Sequence, residues 1–241
     1  YTAHIPYFNI HVLNNGSVIG DATVKNVHVS TGNNTHVLVE ATWDPSSFGG
    51  EEAANISREL LSQYVSGFNT SLTFETHKDS IPRQPGLGKA LSKFAITLPT
   101  PRLSTPDTGR GGDDDADHDK PHFILDATFH LFSSTAQFTL LSPMQHNTIY
   151  LETINATAFY NHTEPVGRME YDLPFKVPPG TSLTPKLPVD WSVDSVGYES
   201  LRKALGGTLK LDGRGTFGLR LGEWTETIWY IGTGIGATVT L

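Results

Sequence analysis

The sequence predicts a mainly β protein made of two tandem antiparallel β-sandwiches, each carrying one short α-helix. Three observations carry this. First, residues 196–207, VGYESLRKALGG, repeat apolar side chains at helical spacing and stop at a glycine pair. Second, TLKL, GTFGLRL and WTETIWYIGTGIGATVTL follow that helix as strand signals. Third, the first half of the chain repeats the order: alternating strands, one helix, then closing strands. Sheets packed face to face in the immunoglobulin or fibronectin manner, with a helix at one side, accommodate such an order.

In chain order, IPYFNIHVL reads as a strand ended by Asn14-Asn15-Gly16. DATVKNVHVS and THVLVEATW read as two more, and the spacing predicts a helix over residues 51–68. Ile56, Leu60, Leu61, Tyr64 and Phe68 form its apolar stripe, with acidic residues in its first turn. SLTFETH and KFAITLP read as strands, joined by the Pro/Gly-rich connection SIPRQPGLG. Residues 100–121 hold almost no large apolar side chain and read as an acidic linker or loop, dividing a first module at 1–99 from a second at 122–241. HFILDATFHLF, TAQFTLL, NTIYLETINATAFYN and VGRMEYDLPFKV are the strands of the second module, followed by a proline-punctuated passage. In this reading the helix at 196–207 starts at Asp194 or Ser195 and closes the pattern.

Matching the halves sets IPYFNIHVL against TAQFTLLSP, and GDATVKNVHVSTGN against LETINATAFYNHTEP. The second half then owns an extra opening strand near residues 123–132. The first module is expected to lack its counterpart and to present an open edge or groove, filled by another chain or a remodelled terminus.

Composition narrows the function. A net charge of -8 disfavours nucleic acid and anionic membrane surfaces as direct partners. A hydrophobic fraction of 37% and a mean hydropathy of -0.24 fit a soluble globular chain. Six Asn-x-Ser/Thr sequons occur, at Asn15, Asn33, Asn55, Asn69, Asn155 and Asn161. Chance predicts about two in a chain this rich in Ser and Thr, so secretory passage and N-glycosylation are expected. The absence of Cys is compatible with that route. The chain opens at Tyr1 without a Met, as a processed piece of something longer would.

Catalytic signatures are missing: there is no HExxH, no phosphate-binding loop and no GxSxG elbow. The GTGIGA glycines have no helix behind them to receive a pyrophosphate, so they are expected to be strand glycines approached by a ring, a backbone or a lipid tail. The acidic run at 113–119 lacks the glycine and distal Glu of a calcium loop and reads as a solvated loop. His118 and His122 have no paired ligands beside them. Glu170, Asp172, Glu223 and Glu226 are candidate carboxylates for a hydrolase, with nothing to single out a pair. The expectation is therefore no enzyme, no cofactor and no metal. Period-two counting places Trp229, Ile231, Ile235, Val239 and Leu241 on one face of the last strand. Trp229, Ile231 and Ile235 facing Leu201 and Leu205 make the candidate apolar groove.

FHLFSSTAQFTLLSP, INATAFYNHTEPVGRMEYDLPFKVPPG, TPKLPVDW, GYESLRKALGGTLKLDGRG and WYIGTGIGATV resemble the lumenal part of fungal membrane proteins of the vacuolar autophagy-termination family. The lumenal modules of that family are similar to late-embryogenesis-abundant group 2 domains. The resemblance is specific from about residue 92 onward and rests on element order before it. It implies one-helix sandwich modules used repeatedly, a membrane anchor in the full-length protein, vacuolar or endomembrane residence, and N-glycosylation. Lipid transfer has been proposed for such modules, and the family offers no catalytic residues to carry over. The expected function is a glycosylated lumenal module, or an extracellular one if processed, that binds lipid or another apolar ligand. The alternative is a structural module that self-associates through exposed sheet edges or strand donation.

Overall fold

The computed structural model describes residues 3–29, 31–32, 39–92, 94–101, 103, 123–192, 205 and 207–240. They form two compact units, Tyr1–Leu60 with Asn69–Thr100, and Leu61–Phe68 with Pro101–Leu241. The protein is mainly β, and two helices lie among the described residues.

Unit 1 is a single five-stranded antiparallel sheet, ordered β3-β2-β1-β4-β5. Its strands are β1 (Ala3–Asn14), β2 (Ser17–Val29), β3 (Val39–Trp43), β4 (Ser71–Glu75) and β5 (Ala95–Pro99). Asn15 and Gly16 adopt positive φ to make the tight β1–β2 turn that their side chains favour. Helix α1 (Pro45–Val65) breaks at Gly50, whose φ of 68° only glycine adopts cheaply, so its regular part starts at Glu51. Ile56 and Leu60 pack with Ile19, Ala53, Val12, Trp43 and Leu72. The Pro/Gly-rich connection contains a short helix, α2 (Pro85–Leu91), because Pro85 at the first turn is already set at a helical φ.

Unit 2 holds ten strands in one hydrogen-bonded sheet curled into a half-barrel. They are β6 (Ile124–His130), β7 (Thr135–Leu141), β8 (Ile149–Tyr160), β9 (Glu164–Tyr171), β10 (Phe175–Val177), β11 (Thr181–Leu183), β12 (Leu187–Pro188), β13 (Asp190–Trp191), β14 (Thr208–Leu221) and β15 (Trp224–Thr240). The main order is β11-β7-β6-β15-β14-β8-β9-β13. Two features differ from the expected pair of separate antiparallel layers. The sheet is continuous, and β6 runs parallel to β15. Its curl follows from long strands bent at irregularities, such as those between Leu211 and Gly213 and between Gly218 and Leu219. The proline-punctuated passage supplies β11, β12 and β13, two or three residues each, with Pro188 at the end of β12. Of the helix expected at 196–207 only Leu205, bridged to Val239, and Gly207 are described, and of the acidic loop at 100–121 only residues 100, 101 and 103.

The repeat is present but offset by one strand from the match read in the sequence. β3-β2-β1-β4-β5 and β13-β9-β8-β14-β15 share chain order, neighbours and antiparallel sense. β1 therefore corresponds to β8, not β7, and unit 2 carries both β6 and β7 ahead of the shared pattern.

The long free side of β15 is closed in two ways. Its C-terminal part pairs with β6. Alongside its N-terminal part lies the last stretch of α1, where the buried Ser62 and Ser66 accept the Trp229 and Ile231 N–H groups at 3.1 and 3.0 Å. Four helical residues advance about 6 Å and two strand residues about 6.6–6.8 Å, so serines at i and i+4 match alternate strand amides. Leu61, Tyr64 and Val65 from the same turns pack on the core of this unit. Replacing Ser62 or Ser66 with Ala strips a buried strand N–H of its acceptor. Each substitution should cost about 1–3 kcal/mol in denaturant unfolding. Unchanged midpoints in both variants would remove the cap from the account.

Candidate functional site

The concave face of the unit 2 sheet is apolar because every strand contributes its inward set. Ala127 and Phe129 come from β6, Leu151 and Ile154 from β8, and Met169 from β9. Leu211 and Phe217 come from β14, and Tyr230, Ile235 and Ala237 from β15. Phe217 and Tyr230 lie 5.5 Å apart, and Phe123 stands 6.4 Å from each. The curl leaves a cavity of about 80 Å³ among these side chains. On the measure by which one water needs about 10–15 Å³, that is room for roughly half a dozen methylene-sized groups.

Polar side chains gather instead on the other face of the sheet, beside the irregularity between β14 and β15. Asp212 is buried and accepts from Gly234 N–H at 3.0 Å and contacts His162 Nδ1 at 2.7 Å. Arg214 stacks 5.0 Å from the centre of the Phe159 ring and donates to the His162 carbonyl at 3.2 Å. Gly213 between them turns toward Ile235 and Tyr230, so the side chains of Asp212 and Arg214 stand on the face of the sheet away from the cavity, as does Ile231, which pairs with Arg214. Tyr230 is buried with no hydrogen-bond partner of good geometry for its hydroxyl among the described residues. Burial drives the phenol's pKa upward, with the Ile124 backbone opposing in smaller measure, so the group stays neutral.

Of the five residues picked out as a groove from the sequence, Ile235 alone among those described lines this cavity. Trp229 and Ile231 lie on the opposite face, Trp229 edge-on to Phe68 with ring centres 6.1 Å apart. The cause is a bulge: Leu211 pairs with Ile235 but Gly213 with Gly232, and Gly234 takes φ 66°. Before it, Ile228 and Tyr230 point inward; after it, Ile235, Ala237 and Val239 do. One inserted residue flips every later side chain, so uninterrupted counting assigns the wrong face. Leu205 is exposed and bridges Val239, and Leu201 lies outside the described residues. The glycine-rich run is strand, and a Cβ on Gly232 would meet the Tyr230 hydroxyl at 2.3 Å. Met169, Phe217 and Tyr230 also line the cavity, and nothing in the sequence around them sets them apart from other strand residues. The Gly-Thr-Gly at 232–234 was the one local sign of the bulge.

Glu170, Asp172, Glu223 and Glu226 do not line the cavity. Glu170 pairs with Arg168, and Glu226 accepts from Thr227 N–H at 2.9 Å. The sequon residues Asn15, Asn55, Asn69, Asn155 and Asn161 are exposed; Asn33 lies outside the described residues, as do His118 and His122. Among the described residues no group of three or more His, Asp or Glu is placed to hold a metal ion.

Comparison with known families matches residues 1–89 to the model described as the Tag1-like fourth LEA-2 like domain. Residues 116–229 match the Tag1-like fifth LEA-2 like domain. The chain thus carries two LEA-2-like domains. Neither the curated proteins nor the solved structures include a match.

In unit 1, His11, Asp21 and His77 gather around Asn9, on the other face of the sheet from Val12 and α1. Asn9 donates to Asp21 at 2.7 Å and to Thr23 at 2.8 Å, which turns its carbonyl oxygen toward His77 Nε2 at 2.9 Å. Asp79 N–H donates to His77 Nδ1 at 3.3 Å, so the ring is the neutral Nε2–H tautomer. Its pKa is lowered from 6.5, first by burial and then by the stacked His11 ring 4.1 Å away, while Asp79 and Asp21 oppose. A lowered folded-state value means that the unfolded chain protonates first, so this contribution is intact above 6.5 and fades below it. The melting temperature of unit 1 should fall on acidification through that window, and His77→Gln should flatten the fall. An equal pH dependence in both proteins would exclude His77 as its source.

Proposed function

We propose that this chain is a non-enzymatic, N-glycosylated pair of modules from the lumenal region of a membrane-anchored protein of the fungal vacuolar autophagy-termination family. In this reading it works on the lumenal side of the vacuole or endomembranes, or outside the cell if processed. Its second unit holds the apolar tail of a lipid or similar amphiphile, and the curled sheet serves as both layers of a sandwich. The cavity is the observation that carries the proposal. Its apolar lining repels a charged substrate and gives an acyl chain of matching length a place to leave water, at roughly 0.8 kcal/mol per buried methylene. The Tag1-like matches and the exposed sequons agree with a lumenal setting. Among the described residues no helix is long and apolar enough to cross a membrane.

Delipidated protein titrated with a fluorescent single-chain fatty acid tests this, together with native mass spectrometry of material from a secretory host. Saturable one-to-one binding is expected. Ala127→Phe, which places a ring in the cavity, should weaken binding at least tenfold, and Ala156→Leu should weaken it less. No saturable binding, or equal binding by the filled variants, would contradict the proposal.

A further inference from the structure

The two units treat the same topological position differently. In unit 2 the strand at that position, β15, is closed by β6 and by two helix serines. In unit 1 its counterpart β5 has β4 as its sole neighbour among the described residues. Every residue of β5 is exposed, Ile96 at 44% and Leu98 at 49%, and Phe94 just before it at 59%. Ile96 and Leu98 pair with Phe74 and Leu72, so they continue the apolar side of the sheet past the point where α1 covers it.

Hydrogen-bond parity shows which groups of β5 face away from β4. Thr76 N–H bonds Phe94 O, and Thr100 N–H bonds Thr70 O. In an antiparallel ladder alternate residues bond the same neighbour, so Ile96 and Leu98 also turn their N–H and C=O toward β4. Ala95, Thr97 and Pro99 therefore turn theirs outward. Proline has no N–H, which leaves Ala95 and Thr97 as the edge donors. Residues 94–99 carry no charge, and a row of this kind lacks the Lys or inward charge that usually blocks an edge.

We propose that β5 is a self-complementary docking edge at which a second copy of this chain pairs antiparallel about Thr97. In that register each Thr97 N–H donates to the partner's Thr97 carbonyl, and each Ala95 N–H to the partner's Pro99 carbonyl. Both edge donors are satisfied, and the missing proline N–H falls at the ends, where water reaches the Ala95 carbonyl. Ile96 of each copy faces Leu98 of the other, extending one apolar surface across the two-fold. Thr97 meets Thr97 on the opposite face, beside Thr73, whose hydroxyl lies 2.8 Å from that of Thr97. The interface adds two short strands and falls below the roughly 1,200 Å² of a standard stable complex, so the dimer dissociates on dilution. This inference is independent of the apolar-ligand reading of unit 2.

Sedimentation velocity over a concentration series, with residue-resolved amide exchange, tests it on the whole chain. Mass should rise toward the dimer with concentration while Ala95 and Thr97 amides gain protection; Ile96 and Leu98 amides stay protected throughout. Thr97→Lys and Thr97→Glu should each abolish dimerisation, because like charges meet at the two-fold, and an equimolar mixture should restore it. Protected Ile96 and Leu98 amides in both variants report that β5 remains folded. A monomer at all concentrations would overturn the proposal. So would Ala95 and Thr97 amides already protected in dilute monomer, since the edge would then be covered from within. Dimers that persist in both variants, or a mixture that fails to recover, would place any association elsewhere.

Discussion

A β-strand edge is a row of polar groups that burial penalises unless each finds a partner. Satisfying that demand along β15 shapes the second unit. The strand is 17 residues long and runs beside β14 for most of its length. Its other side meets two different partners, helix serines along one part and β6 along the other. The bulge near Gly234 lies between those parts, where Asp212 accepts the Gly234 N–H. The bend there lets the sheet curl rather than extend flat. The curl in turn creates the concave apolar face. The cavity is thus a consequence of how one edge is satisfied, and Asp212, on the opposite face, belongs to the same bulge.

Much of this was legible in the residues, and the misses share causes. Strands such as β6 alternate, Ala127 and Phe129 being buried, since one side packs inward, and the regular part of α1 shows its stripe and its acidic start. The stripe does not reveal that its two ends serve different cores. Ile56 and Leu60 pack in unit 1, while Leu61 and Tyr64 pack in unit 2. Period-two counting failed in β15 because a bulge is one residue of backbone, not a pattern of side chains. The groove residues Trp229 and Ile231 were lost for that reason alone. β11, β12 and β13 are two or three residues long, too short for any period, and exist because their neighbours need partners. The repeat was offset by a strand because strands of similar alternation cannot be told apart without their pairing. Topology supplies the pairing.

Carrying two LEA-2-like domains, the chain applies one strand order to two ends. Unit 2 surrounds the shared strands with β6, β7 and the short strands, and buries a large apolar core. Unit 1 has the shared strands, α1 and a small core of Ile19, Ala53 and Leu60 with their neighbours. The proposed division of labour follows from that contrast: a closed module with interior space for a greasy tail, and an open one with an edge to offer. Neither role asks for a nucleophile or a general base.

The account depends most on the interior of unit 2 being an apolar space that a small apolar guest enters. Xenon pressurisation followed by methyl NMR measures this directly. Saturable shifts at Met169, Leu151 and Ile235, with Ile19 of unit 1 unmoved, are the predicted result. Shifts that are absent, or spread evenly over the methyls of both units, would contradict it.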